Sequence, residues 1–242
     1  MLKVSNVSKK FGRLQALKDV SFSVSKSEVI GIIGPNGAGK TTLFNVIAGT
    51  LHPDSGKIWF EDKLINGLSP HSICKLGIAR TYQVVRPLPT LDVLGNVLVG
   101  CLFGGRGDVD IAEARCEAED ILRFIGLYDK REESVGNLNI NQLRLLELAR
   151  ALATKPKLLL LDETLAGLNP REVNGMLKII ERVRKQQDVT IIMIEHVMRA
   201  IMSISDRVIV LHQGEKIAEG SPASIAADSR VIEAYLGEKY VA

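Results

Sequence analysis

Eight consecutive residues carry the plainest chemistry in this sequence: Gly34-Pro35-Asn36-Gly37-Ala38-Gly39-Lys40-Thr41. They complete the G-x-x-x-x-G-K-[ST] pattern of a phosphate-binding loop. Its glycines let successive backbone N–H groups turn inward around phosphate oxygens. The start of the following helix, at Thr42, adds favourable partial charge. Lys40 has the reach to meet β- and γ-phosphates, and the Thr41 hydroxyl is a ligand type suited to Mg²⁺. A second candidate is the apolar run 158–161 followed by Asp162-Glu163. A strand ending in Asp sets a carboxylate at the carboxyl edge of a sheet, beside such a loop. Asp162 is then a candidate Mg²⁺ ligand, and Glu163 a candidate base for an attacking water. Alone, this second signal is weak, because strands often end in acids. Joined to the first, it points to metal-assisted hydrolysis of a phosphoanhydride.

The elements that must position these residues are legible as patterns. Val29–Ile33 and the runs 158–161, 189–194 and 208–211 are almost continuously apolar. Such runs suit buried parallel strands. Residues 172–185 carry Val173, Met176, Leu177, Ile180 and Val183 at helical spacing. Helical patterns also cover 42–48, 112–125, which stops at Gly126, and 142–153. Near the amino end, Phe22 and Val24 alternate with serines as in a half-exposed antiparallel strand, and 56–60 and 215–219 read as short strands. The stretch Gly104-Gly105-Arg106-Gly107 is the most flexible in composition. Alternating strands and helices indicate an α/β fold with a mostly parallel sheet.

Composition narrows the class. Of 242 residues, 46% are hydrophobic and 24% charged, which excludes a disordered chain. A net charge of +3 without basic clusters argues against nucleic acid as partner. No apolar run approaches the ~18 residues of a membrane span, and the first residues do not resemble a signal peptide. Cys74, Cys101 and Cys116 are odd in number and widely spaced, so reduced thiols and a cytosolic setting are expected.

Taken together, these residues resemble the ATP-binding cassette ATPases over essentially the whole chain. The resemblance implies a P-loop NTPase fold of RecA-like type, with an antiparallel β subdomain at the amino end and an inserted helical subdomain. Its boundaries would be 1–86 with 157–242 for the core and 87–156 for the helical part. It implies ATP and Mg²⁺ as cofactors, held by residues 34–42, with Thr41, Gln83 and Asp162 on the metal. Phe11, in Lys10-Phe11-Gly12, resembles the aromatic that stacks on adenine; the alternative is a core Phe near a turn. Gln83, in Arg80-Thr81-Tyr82-Gln83, resembles the glutamine that senses metal and water and links to a membrane subunit. His196 resembles the switch histidine on the γ-phosphate, so Glu163, His196 and Lys40 form the implied catalytic set. Ala166-Gly167-Leu168-Asn169 resembles the loop that crosses the dimer interface, with Asn169 where Asp is commoner.

The chain departs from the family at its signature. The family's Leu-Ser-Gly-Gly-Gln, which caps ATP held by the opposite subunit, is here Leu138-Asn139-Ile140-Asn141-Gln142. Asn139 keeps a donor and a helix cap. Ile140 is β-branched and resists the positive φ that glycine permits, so a defective half-site or an altered loop is expected. The 77–83 segment, the run ending at Pro170, Glu195-His196 and the tail 231–237 resemble the branched-chain amino acid importer subgroup. That implies permease subunits, a second and different ATPase chain, and indirectly a solute-binding protein. It also implies a peripheral place on the cytoplasmic membrane face. The apolar residues Val84, Val85, Leu88 and Leu91 are candidates for the permease dock, or else pack internally. Other readings stay open: importers of cargo such as urea or amides, or a soluble ATP-gated switch. A kinase or GTPase sharing only the loop fits less, for want of a guanine-reading tetrapeptide.

Overall fold

The structure, a computed structural model, describes residues 1–105 and 109–236. The chain opens with β1 (Leu2–Phe11), β2 (Leu14–Val24), β3 (Val29–Ile33), α1 (Lys40–Ile47), β4 (Ser55–Phe60) and β5 (Lys63–Leu64). It continues through α2 (Pro70–Leu76), β6 (Ile78–Arg80), α3 (Val93–Phe103), α4 (Ile111–Ile125), α5 (Ile140–Ala153), β7 (Leu158–Asp162) and α6 (Pro170–Gln187). It ends with β8 (Thr190–Ile194), α7 (Met198–Ile204), β9 (Arg207–His212), β10 (Glu215–Gly220), α8 (Pro222–Ala226) and α9 (Ser229–Leu236). Arg106 and Gly107 of the glycine-rich stretch, and Gly237 of the tail, lie outside the described residues.

Packing gathers the chain into two units, Met1–Pro70 with Thr190–Ala242, and His71–Val189. The helical segment read at 87–156 falls inside the second unit, together with β6, β7 and α6.

In the first unit, β2-β1-β4-β5 form an antiparallel sheet, and β10-β9-β3-β8 lie in sequence in another. β3 is flanked by two parallel neighbours, β8 and β9, and β10 closes antiparallel on β9. All five residues of β3 are buried, as its unbroken apolar run requires of a central strand. Gly31 marks the place where α7 lies against this strand. A Cβ there would stand 2.6 Å from Ile201 Cγ2 and 2.8 Å from Ser205 Oγ.

In the second unit, β6 and β7 pair in parallel, with Ile78 opposite Leu158 and Arg80 opposite Leu160. The helices start where polar caps satisfy their free N–H groups. Asp110 accepts from Ala112 and Glu113 at the head of α4, which stops at left-handed Gly126. Asn169 and Glu172 form a reciprocal capping box before Pro170 at the head of α6. The buried Asn96 amide accepts from Leu88 N–H at 2.8 Å and donates to Leu88 O and Asp92 O, pinning the segment before α3. Leu88, Leu91 and Val85 are half-buried there, while Tyr82 and Val84 are 51% and 64% exposed.

Among the described residues no helix is long and apolar enough to cross a membrane. Cys74, Cys101 and Cys116 are not joined in disulfides.

Overpacking a full core costs about 1–3 kcal/mol. Gly31→Ala is therefore expected to lower unfolding stability by about that amount, read as a fall in the urea midpoint without a change in slope.

Candidate functional site

The first unit holds the phosphate loop. β3 delivers the chain to Gly34, whose φ is +151° and whose Cβ position is filled by the Leu211 carbonyl. No other residue fits there. Gly39, at φ +100°, caps α1 without any side-chain hydrogen bond. No side chain caps the first turn of that helix, and a helix N-terminus suits an anion such as phosphate. The turn between β9 and β10 braces the loop: Gly214 N–H donates to Ala38 O at 3.1 Å, and Lys18 N–H to Gly214 O at 2.8 Å. Lys40 is 6% exposed, and its Nζ donates to Gly34 O at 2.7 Å and Pro35 O at 2.9 Å. Asn36, Gly37 and Thr41 are exposed along the same stretch, with Thr42 half-buried. Phe11 ends β1 with its ring 46% exposed, and the Lys9 ammonium stands 5.8 Å from the ring centre. An exposed ring is what stacking on a flat ligand needs, and a core Phe would not show it. His196 is exposed just past the end of β8, after the buried Glu195.

In the second unit, each residue of the tetrad 80–83 binds a different group. Arg80 Nη2 donates to Asp162 Oδ2 at 2.7 Å, with both side chains almost wholly buried. The Thr81 and Thr164 hydroxyls meet at 3.1 Å, and Asp162 N–H donates to Thr81 Oγ1 at 3.1 Å. Gln83 Nε2 donates to Glu163 Oε2 at 2.8 Å. Glu163 itself has left-handed backbone, φ +50°. A non-glycine residue held there signals strain of the kind that collects at functional sites. The structure thus brings Gln83 to Glu163 and sets Asp162 against a partner that sequence reasoning did not find, Arg80.

Two further residues went unrecognised in the sequence. Tyr82, between Thr81 and Gln83, is gripped on both sides of its backbone from α5. Its N–H donates to Glu147 Oε1 at 2.7 Å, and its carbonyl accepts from Arg144 Nη1 at 3.3 Å. Arg144 and Glu147 are buried and lie 3.7 Å apart, one helical turn from each other. Burial pushes the Glu147 carboxyl above its ordinary 4.5; the Tyr82 N–H and the Arg144 and Arg150 guanidiniums pull it down, and Asp162 adds to the rise. The readable signal was two charges at i and i+3 on a helix face that is otherwise apolar.

The signature stretch begins the same helix. Leu138 is buried below it. Asn139 is the cap, accepting from Gln142 N–H at 2.9 Å, while Asn139 N–H donates to Gln142 Oε1 at 3.0 Å. The expected conflict at Ile140 does not arise. Ile140 is the first residue of α5 and is absent from the positive-φ residues, so its β-branch meets no backbone strain. Its side chain is instead 45% exposed, and a Cβ at Gly167 would lie 3.5 Å from Ile140 Cγ1. Asn141 and Gln142 are half-buried.

The raised Glu147 carboxyl fixes the sign of a pH effect. A group with a higher pKa folded than unfolded adds stability below the unfolded value and loses it as pH rises through the folded one. Between about pH 7 and about pH 5, wild-type stability is therefore expected to gain on that of Glu147→Gln, measured by urea unfolding. Arg144→Met strands the buried Glu147 charge and is expected to cost about 3–5 kcal/mol at neutral pH.

Known proteins resemble this chain along nearly its whole length. A family profile described as "ABC transporter" matches residues 17–166, and one described as "Branched-chain amino acid ATP-binding cassette transporter" matches 215–241. The high-affinity branched-chain amino acid transport ATP-binding protein BraF of Pseudomonas aeruginosa is 38% identical over 250 residues, covering 98% of each chain. The corresponding LivG protein of Escherichia coli K12 gives the same identity and coverage. Among solved structures, the ADP conformation of an ATP-binding cassette of an ABC transporter matches with a TM-score of 0.89 and 34% identity, over 98% of this chain and 99% of that one. A dimeric, post-hydrolysis cassette bound to ADP and Pi matches with a TM-score of 0.83 and 26% identity, over 92% and 99%. With the profile match over 17–166 and 38% identity to relatives along 98% of each chain, the chain belongs to the ATP-binding cassette family of ABC transporters.

Proposed function

We propose that this chain hydrolyses ATP as the energy-coupling subunit of an importer for branched-chain or other small hydrophobic amino acids. It would act from the cytoplasmic face of the membrane, docked on permease subunits that receive solute from a binding protein. The cargo reading rests on the two relatives that match along 98% of their length. The hydrolytic reading rests on one observation above others, the Gln83 amide holding Glu163 at 2.8 Å.

In this reading Phe11 stacks on adenine, and the loop 34–42 holds the triphosphate through Lys40 and through backbone N–H groups other than those of Gly34 and Pro35. Lys40 neutralises charge as it builds on the transferred phosphoryl. Glu163 takes a proton from the attacking water. Gln83 occupies Glu163 Oε2 and so fixes the rotamer of the base. His196 steadies the γ-phosphate. Thr41, Gln83 and Asp162 are the residues that would hold Mg²⁺; hydroxyl, amide and carboxylate are all oxygen donors, as a hard cation prefers. Among the described residues no three His, Cys, Asp or Glu side chains form a metal cage of their own. That fits an ion that takes most of its ligands from phosphate and water. Bound with nucleotide, Mg²⁺ supplies charge neutralisation of the β- and γ-oxygens.

The altered signature favours a heterodimer. The residues that hold this chain's own ATP are intact, and those lent to a partner carry Ile140 in place of glycine. A homodimer would then have two impaired sites. Paired with a chain of intact signature, this one would share one complete site.

Lys40→Ala is expected to weaken ATP binding by at least about tenfold, about 1.4 kcal/mol. Glu163→Gln is expected to bind ATP and lose turnover; turnover at the wild-type rate would remove Glu163 as the base. In light scattering with ATP and Mg²⁺, Glu163→Gln alone is expected to stay monomeric. The same protein carrying Asn139→Ser, Ile140→Gly and Asn141→Gly is expected to dimerise. Dimerisation of Glu163→Gln without those changes would favour the homodimer instead.

A further inference from the structure

Gly34 is held through both of its backbone polar groups. Its carbonyl accepts from Lys40 Nζ, and its N–H donates to the Tyr235 hydroxyl oxygen at 2.7 Å. Tyr235 lies near the end of α9, which packs on β10 and α8. β10 leaves the same turn whose Gly214 N–H braces Ala38. The tail of the chain therefore touches the loop at its first peptide and packs on the hairpin that supports its middle. The Tyr235 ring is 43% exposed, yet burial raises the pKa of its hydroxyl, with the Gly34 N–H acting the other way. The phenol stays protonated at neutral pH and presents an oxygen acceptor. Gly34 has no space for a side chain and so cannot anchor itself. The anchor must come from elsewhere in the fold.

We propose that Tyr235 is a positioning residue for the phosphate loop, making the docking of α9 and the binding of nucleotide favour each other. The proposal rests on residues 34–41 being the ATP site. Coupling of this kind is reciprocal: whatever holds α9 in place tightens ATP, and ATP tightens α9. It gives a role to the region matched at 215–241, which carries none of the phosphate, base or signature residues.

Tyr235→Phe keeps the ring and removes the acceptor. One net hydrogen bond corresponds to about a two- to tenfold loss of ATP affinity. The same bond holds the loop before ATP binds, so the thermal midpoint is expected to fall as well, and the coupling is read from ATP affinity and amide exchange. We also expect ATP to slow amide exchange across Ser229–Leu236 in the wild type and not in Tyr235→Phe. A purely structural role would move the midpoint and leave the exchange response alone. Equal ATP affinity in both proteins, or an ATP-induced slowing that survives in Tyr235→Phe, overturns the coupling. A wild type that binds no ATP overturns the nucleotide reading itself, and the coupling with it.

Discussion

The constraint on which the Asp162–Glu163 cluster depends is the parallel register of β6 on β7. With Arg80 opposite Leu160, the Thr81 N–H reaches Leu160 O and the Thr81 hydroxyl receives the Asp162 N–H. Arg80 then points at Asp162, and Gln83 at Glu163. A slip of one residue reverses every side chain on the strand and separates all four pairs. The Arg80–Asp162 pair makes such a slip costly, because either charge left alone in the interior is strongly destabilising. The same contact that holds the sheet also fixes the position of the Asp162 carboxylate.

Helix α5 has two duties in its first two turns. Its first turn presents the altered signature, and its second turn grips Tyr82 through Arg144 and Glu147. The helix is thus tied by two hydrogen bonds to the backbone next to Gln83. The reciprocal Asn139–Gln142 cap fixes where the helix starts without any help from glycine. The departure at Ile140 is accordingly chemical and not architectural. The helix N-terminus is kept, and what changes is the branched side chain standing over it.

Much of this was legible in the sequence, and the reason is locality. The phosphate loop is eight adjacent residues, and β3, β7 and β8 are apolar runs whose burial needs no distant information. The cap at Asn139 was legible for the same cause. The backbone conflict at Ile140 is absent because the helix already begins at that residue, where no positive φ is needed. The pairs that went unseen lie far apart in the chain. Arg80 and Asp162 are separated by 82 positions, Glu147 and Tyr82 by 65, and Tyr235 and Gly34 by 201. Nothing in local pattern reports such partners, since they exist only once the sheets have formed.

The left-handed backbone of Glu163 sets a conflict between two kinds of selection. At φ +50° glycine or asparagine is at ease and glutamate is not, a penalty of about 1–3 kcal/mol. A screen that rewards only heat resistance will therefore favour replacing this residue. Its winners would be sturdier proteins that have discarded the carboxylate proposed as their base. Thermal robustness in variants of this chain is a poor guide to whether they still work.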